Sequence, residues 1–511
     1  MCELSYACHS FPQNFACRHQ SPAGVLTGVI LCADYEDVQF SFAGSMEPRQ
    51  MTDSQAEKQP AEWRRQRLRR HVGEIMRLAW PTMLSRLGIM GLAVTDTIMV
   101  GRFSTDQLAY LSLGSSSVIM LILMIVIGLL IGTLVFSADA YGRGDWAECG
   151  AVWRRSLLFA ILLGALATAS AMPAETLLLA TGQTPELSRE GGRVMFVLGL
   201  GLGGHILFVV CTFFLEGIER PKAGMYAMVA ANLANIGLNY MLVYGHGGFP
   251  ALGAEGSAWA TTILRILLAG GMVLYVLFAP SLAKYRIRRR HLTPWRDWRA
   301  QRHMGYASGV SLGAEVVAFA ALSLFAGWLG KLPLAAYGLI FNIMTLPFML
   351  ALGVGTATGV RVGIANARAD AADATLAGWT GLTISTLGLL LASVLIFVFG
   401  PKILGLYSSD PALVALALPL VALVSWVIIL DGDQAVLANA LRGLGETWIP
   451  TLIQSIAYIA VMLPVSWALA FPMGRGVAGL LEALIVGSVV SVVLQSWWFR
   501  VKSAQVGRGG K

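Results

Sequence analysis

Twelve windows of about 20 consecutive apolar residues run through this chain, and nothing else in it limits the fold as strongly. They fall near 78–101, 114–138, 156–178, 193–217, 223–245, 256–280, 304–330, 335–362, 374–400, 411–440, 447–471 and 476–498. An apolar helix of that length crosses the hydrocarbon core of a bilayer while satisfying its own backbone hydrogen bonds. The expected fold class is therefore an all-α polytopic membrane protein. Of the 511 residues 56% are hydrophobic and 13% charged, far below the roughly 25% charged residues of soluble domains. An even number of spans puts both ends of the chain on one side.

Basic residues orient the bundle. The formal net charge is +8, which in another setting would suggest a nucleic-acid partner. Here Lys and Arg flank the apolar spans instead of forming one folded basic face, so nucleic acid is not expected. One side receives the cluster from Arg64 to Arg70, Arg143, Arg154, Arg155, Arg220, Lys222, the loop YRIRRRHLTPWRDWRAQR, Arg361, Arg368 and the tail. The other receives Arg102, Arg189, Arg193, Lys331, Lys402 and Arg475. By the positive-inside rule both termini are cytoplasmic.

Acidic residues inside the spans carry the functional reading. Asp96 lies within WPTMLSRLGIMGLAVTDTIMVG, residues 80–101, with no neighbouring charge. An ionisable group at bilayer depth costs about 2.5–3.5 kcal/mol on insertion scales, so it normally faces a cavity or a relay. Glu315 and the pair Asp431 and Asp433 recur in later spans. Asp96, Glu315 and Asp431 are the candidates for ion coupling and for binding a substrate cation. Asp433 sits two residues from Asp431, faces another direction on a helix, and is assigned to a supporting polar network. Asn232, Asn235 and Asn239 share one face of the fifth span and either brace Asp96, coordinate Na⁺ or pack between helices. Arg86 is about three turns from Asp96, too far to pair on one straight helix, and is read as snorkelling or bridging to another helix. Arg265 requires a partner carboxylate that the sequence does not name. His205 reads as a packing residue.

The chain also repeats itself. Gly142-Arg143-Gly144-Asp145 after the second span returns as Ala367-Arg368-Ala369-Asp370 after the eighth, and Leu215-Glu216-Gly217 returns as Leu441-Arg442-Gly443. Both offsets are about 225 residues, half of the membrane region. Six spans per copy give both copies one orientation, hence two six-helix lobes related by a pseudo-two-fold axis along the membrane normal. The expected division is an extension over 1–60, a first lobe over 61–280, a basic cytoplasmic linker over 281–303, a second lobe over 304–498 and a cytoplasmic tail over 499–511.

On these residues the chain resembles the multidrug and toxic-compound extrusion (MATE) transporters, and is most similar to their NorM-type bacterial branch. The first span carries Pro81, Asp96, Gly101 and Arg102; residues 215–221 look like the family's L-E-G-x-x-R-P. The fifth span and its exit show Asn235, Asn239, Tyr240, Tyr244, Gly245, Pro250 and Gly253. In the second lobe the matches are Glu315 with Phe319, Ala335-Ala336 with Asn342, Gly353 and Arg361-Val362-Gly363, and Asp431 with Gln434, Leu441, Arg442 and Gly443. The likeness covers about 70–500. Tyr337 departs from it, standing where the family usually has a histidine, and so lacks a group that could titrate or bind a cation.

The resemblance implies a secondary transporter of the bacterial inner membrane. It would export organic cations or amphipathic drugs in exchange for inward H⁺ or Na⁺, with Na⁺ taken at Asp96 or at Glu315 and Asp431. A carboxylate in a low-dielectric cavity can exchange H⁺, Na⁺ or an organic cation, and competition between ion and drug for it, with the lobes rocking, gives antiport. No cofactor beyond the coupling ion is implied, and a monomer in membrane lipid is expected. The alternatives are a lipid-linked oligosaccharide flippase of the same superfamily, which would need cationic cavity residues to hold a diphosphate, and a membrane-embedded enzyme. The loop YGRGDWAECGAVWRR lacks the sugar-facilitator signature. G-x-S-x-G, H-E-x-x-H and Walker A patterns are missing from suitable spans, so an enzyme is not expected and an ion gradient replaces ATP.

Residues 1–60 mix Cys, His, Phe and Pro without periodicity and hold Cys2, Cys8, Cys17 and Cys32 at spacings that fit no common zinc pattern. They read as a disordered extension, with Met46 and Met51 as candidate alternative starts. Cys149 and Cys211 read as lone thiols.

Overall fold

The computed structural model describes residues 60–116, 118–180, 182–289, 294–407 and 410–507; the expectations for the first 59 residues and their cysteines lie outside it. Helices occupy each of the twelve expected spans. The first lobe contains α1 (Pro60–Phe103), α2 (Thr105–Ser116), α3 (Val118–Gly142), α4 (Trp146–Ala171), α5 (Ala174–Ala180), α6 (Pro185–Leu200), α7 (Leu202–Gly217), α8 (Lys222–Leu242) and α9 (Gly253–Phe278). The second contains α10 (Arg299–Leu329), α11 (Lys331–Ala367), α12 (Ala371–Tyr407), α13 (Pro411–Ala417), α14 (Leu420–Gly443), α15 (Ile449–Ser455), α16 (Leu463–Ala470) and α17 (Gly476–Ser503). Short pieces pair up within single spans: α2 with α3, α6 with α7, and α15 with α16 through a π-helical turn over Ile456–Met462. Eleven of these stretches are apolar and long enough to cross a membrane on composition alone. The fifth span, α8, falls short because Asn232, Asn235 and Asn239 interrupt it.

The repeat is a structural repeat. Gly144 has φ 73° and its counterpart Ala369 φ 56°. Each donates its backbone N–H to the residue three back, Gly144 to Tyr141 at 3.0 Å and Ala369 to Asn366 at 2.9 Å. Asp145 then accepts from the N–H of Glu148, and Asp370 from that of Asp373, both at 2.9 Å, so the same aspartate starts the next helix in both copies. The second match behaves alike. Glu219 (φ 59°) and Gly445 (φ 85°) turn the chain out of α7 and α14, and Arg220 and Glu446 bond back to Leu215 and Leu441.

The two lobes meet through symmetry-related helices, α1 on α11 and α3 on α10. The approach is close enough to need glycine: a Cβ on Gly128 would sit 2.5 Å from the Cα of Gly309, and one on Gly305 would sit 2.2 Å from the carbonyl of Leu129.

The basic loop is no free tether. Pro280–Tyr285 forms a 3₁₀ turn, and Leu282, Tyr285, Ile287 and Trp298 are buried with the core of the first lobe. Tyr285 packs edge-on against Trp146 and Phe214. Helix α1 begins well before the expected span, and its polar stretch from Arg67 to Arg77 is held by the ion pairs described below. Cys149 and Cys211 are free and buried.

Candidate functional site

Asp96 is 8% exposed and is held by three neutral donors from two neighbouring helices. Asn235 and Asn239 of α8 donate from Nδ2 to its Oδ1 at 3.1 and 2.8 Å, and Thr261 of α9 donates from Oγ1 to its Oδ2 at 2.6 Å. Four-residue spacing stacks the two asparagines on one face of α8. Their amide oxygens are buried without a partner, so two unsatisfied acceptors belong to the side chains that hold the carboxylate. Asn232 is placed elsewhere: its Nδ2 reaches the carbonyl of Gly88 at 2.9 Å and that of Met228, so it joins α8 to α1 without touching the carboxylate.

Elsewhere in the first lobe one half-buried arginine is paired and another is not. Arg86 lies 3.7 Å from Glu216 of α7 and 5.4 Å from the ring centroid of Phe213, a bridge between helices. Asp96 is the carboxylate nearest in electrostatic effect to Arg265, whose Nη1 is buried and unpaired. His205 of α7 is buried.

The second lobe holds a chain of side chains. Gln454 donates from Nε2 to Glu315 at 2.7 Å while its carbonyl oxygen accepts from Ser311, and Arg442 donates to the Ser311 hydroxyl at 3.1 Å. One turn further along the same span Tyr458 donates its hydroxyl to Asp431. Tyr458 feels the charge of both Asp431 and Glu315, which interact across the same interior. Tyr458 lies in the π-helical turn, where the N–H of Leu463 bonds back five residues to its carbonyl; Pro464 just beyond supplies no N–H of its own.

Asp433 points away, accepting from Thr386 of α12 at 2.6 Å with Oδ1 buried and unpaired. Tyr337 is buried, and its hydroxyl reaches only the carbonyl of Phe319, at 3.5 Å. Among the described residues no cluster of three or more His, Cys, Asp or Glu is arranged for a metal ion. The oxygen sets here mix carboxylate, amide and hydroxyl.

At the basic end an ion-pair lattice crosses the lobe boundary. Arg361 of α11 holds Glu219 at 2.9 Å and also pairs with Glu74 of α1, and Arg77 reaches Glu219 at 3.4 Å. Asp373 of α12 gathers Arg70 at 2.5 Å, Arg67 at 3.1 Å and His71 at 3.2 Å from α1.

Thr261, Ser311, Arg442, Gln454, Tyr458 and Glu216 had not been singled out as site residues from the sequence. Gln454 and Tyr458 did carry a signal, as a polar pair at four-residue spacing in an apolar span.

The family model MatE matches residues 81–241 and 307–468, one copy per lobe. The chain is 39% identical over 434 residues to the probable multidrug resistance protein NorM of Caulobacter vibrioides, covering 84% of this chain and 91% of that one. It is 29% identical over 436 residues to the multidrug resistance protein PmpM of Pseudomonas aeruginosa, covering 84% and 91%. Among solved structures, that of the eukaryotic MATE transporter AtDTX14 superposes with TM-score 0.79 at 20% identity over 86% of this chain and 99% of that one. An outward-facing multidrug resistance MATE transporter gives TM-score 0.79 at 22% identity, over 85% and 96%.

Proposed function

The chain belongs to the MatE family, a family of membrane transporters and not of enzymes, and from that premise we propose that it exports organic cations or amphipathic drugs in exchange for H⁺ or Na⁺. The observation that carries this reading is the environment of Asp96. Among the described residues no cation forms an ion pair with it, and its three donors are neutral. Its charge therefore stays available to a proton, to Na⁺ or to an organic cation. The two unpaired amide oxygens beside it suit a hard monovalent cation. Glu315 and Asp431 offer the second lobe a comparable anionic interior, with Asp433, Asn235 and Asn239 as supporting groups.

The flippase alternative needs cationic groups free to hold a diphosphate. Arg86 and Arg361 are committed to carboxylates, whereas Arg265 keeps an unpaired Nη1 and Arg442 an unpaired Nε, so the preference for cation export rests on the neutral donor set around Asp96.

Exchange needs alternating access. In our reading the lobes are 61–280 and 304–498, joined by 281–303 and followed by the tail 499–511. They sit in a bacterial inner membrane with both termini cytoplasmic. The ion-pair lattice around Arg361 and Asp373 then closes the cytoplasmic end and must part when the lobes rock. The test is efflux of a fluorescent organic cation from vesicles with H⁺ and Na⁺ gradients imposed separately. Efflux driven by one gradient is the expected result, and indifference to both rejects antiport.

A further inference from the structure

Helix α4 presents a continuous outward face that changes character along its length. At its amino-terminal end a pocket of about 310 Å³ is lined by Arg154, Arg155, Leu158, Leu162, Trp295 and Trp298. A second groove of about 470 Å³ follows on the same face, along Ile161, Ala165, Thr168 and Met172. Positions 158, 161, 162, 165, 168 and 172 recur at helical spacing, so head pocket and groove form one track. Leu158, Ile161 and Leu162 are each about half exposed.

The head of the track is cationic and incompletely satisfied. Arg154 donates to the carbonyl of Arg286 at 2.9 Å, but its Nε is buried without a partner. Arg154 also reaches the carbonyl of Ile287 at 3.5 Å, two residues before the exposed Arg289, while the neighbouring Arg155 already holds Glu148 at 2.7 Å. Arg302 lies 4.0 Å over Trp295, and its Nε is likewise buried and unpaired. Trp295 is 54% exposed, as an indole at the headgroup level would be. Arg154 to Ala165 spans about 16 Å of helix, close to half of a hydrocarbon core of about 30 Å.

We propose that this track binds one anionic phospholipid of the cytoplasmic leaflet, with its phosphate at Arg154 and Arg289 and an acyl chain along Leu158, Leu162 and Ala165. The lipid would cement the inter-lobe linker to the first lobe, since Arg286, Arg289 and Trp295 belong to the one and Arg154 to the other. Only the choice of leaflet rests on the orientation proposed above.

Native mass spectrometry of the purified full chain, offered phosphatidylglycerol and phosphatidylcholine with identical chains, tests the assignment without involving drug efflux. Wild type should retain phosphatidylglycerol over phosphatidylcholine by about tenfold. Arg154→Gln with Arg289→Gln should abolish the preference, and Ala165→Trp, which fills the groove, should lower retention of both lipids. Arg289→Gln alone changes an exposed side chain and should halve the preference or more while the melting curve stays in place. Equal retention of the two lipids by wild type, or an intact preference in the double variant, overturns the proposal. Undiminished retention in Ala165→Trp does the same, since a phosphate site that needs no chain is not this lipid site.

Discussion

Arg361 holds Glu219 at 2.9 Å across the boundary between the two lobes, joining the end of the eighth span to the turn that leaves the fourth. The same guanidinium takes Glu74 of the first span, so one side chain ties three segments together. Removing one partner of a fully buried ion pair costs about 3–5 kcal/mol. Glu74 keeps 28% and Glu219 13% of side-chain exposure, so about 1–3 kcal/mol is the expected loss after solvent screening. Arg361→Gln should lower the melting midpoint in detergent, and Arg361→Lys should recover part of it. An unchanged midpoint would show that this lattice does not hold the lobes together.

Asp96→Asn keeps shape and hydrogen-bonding capacity but removes the charge. It should insert and fold normally and lose coupled efflux by at least about tenfold, roughly 1.4 kcal/mol of differential binding. Thr261→Val removes a donor to a charged group, an interaction worth about 1.5–3 kcal/mol, and should weaken ion coupling while retaining transport at saturating gradient. Asp433→Asn should be milder than Asp96→Asn, since Asp433 faces Thr386 and not Asp431's partners. Vesicle efflux on the variants decides the order, and equal damage from Asp96→Asn and Asp433→Asn would undo it.

Which parts were legible in the sequence follows from where the information resides. Twelve spans and a two-lobe repeat are local properties, written in apolar windows and in turns such as 142–145 and 367–370. The acids announced themselves because a charge in a span is rare. Their partners did not. Thr261 and Asn239 meet at Asp96 from different helices, and helix rotation about its axis is set by packing that no single span encodes. Asn232 shows the limit from the other side, since shared spacing with Asn235 and Asn239 put it on their face, but Gly88 approaches closely enough to take its amide. The linker looked like a loop by charge, yet Leu282, Tyr285 and Trp298 bury it.

Glu315 and Asp431 should act as one site. Gln454 and Tyr458, one turn apart on the same span, hold one acid each, and both acids face the interior of a single lobe. Neutralising either should weaken binding of a monovalent organic cation, and Glu315→Gln with Asp431→Asn should lose less than the sum of the singles. Equilibrium binding on the purified variants reads this. Strict additivity would separate the two acids, and no loss in either would move cation binding to Asp96.

The last prediction exploits a difference between the two copies of one turn. Gly144 and Ala369 occupy equivalent positions with φ 73° and 56°, but only the first is glycine. A left-handed conformation costs a residue with a Cβ about 1–2 kcal/mol, and glycine repays part of that through greater freedom in the unfolded chain. Ala369→Gly should therefore stabilise by about 0.5–1 kcal/mol. Nothing lies within 4 Å of a Cβ built on Gly144, so Gly144→Ala meets no steric clash and should destabilise by the same net amount, about 0.5–1 kcal/mol. Melting midpoints of the two variants should therefore move in opposite directions while efflux stays at the wild-type level. Shifts of the same sign would mean that the two turns are not equivalent, and that their shared hydrogen bonds do not make them one structural repeat.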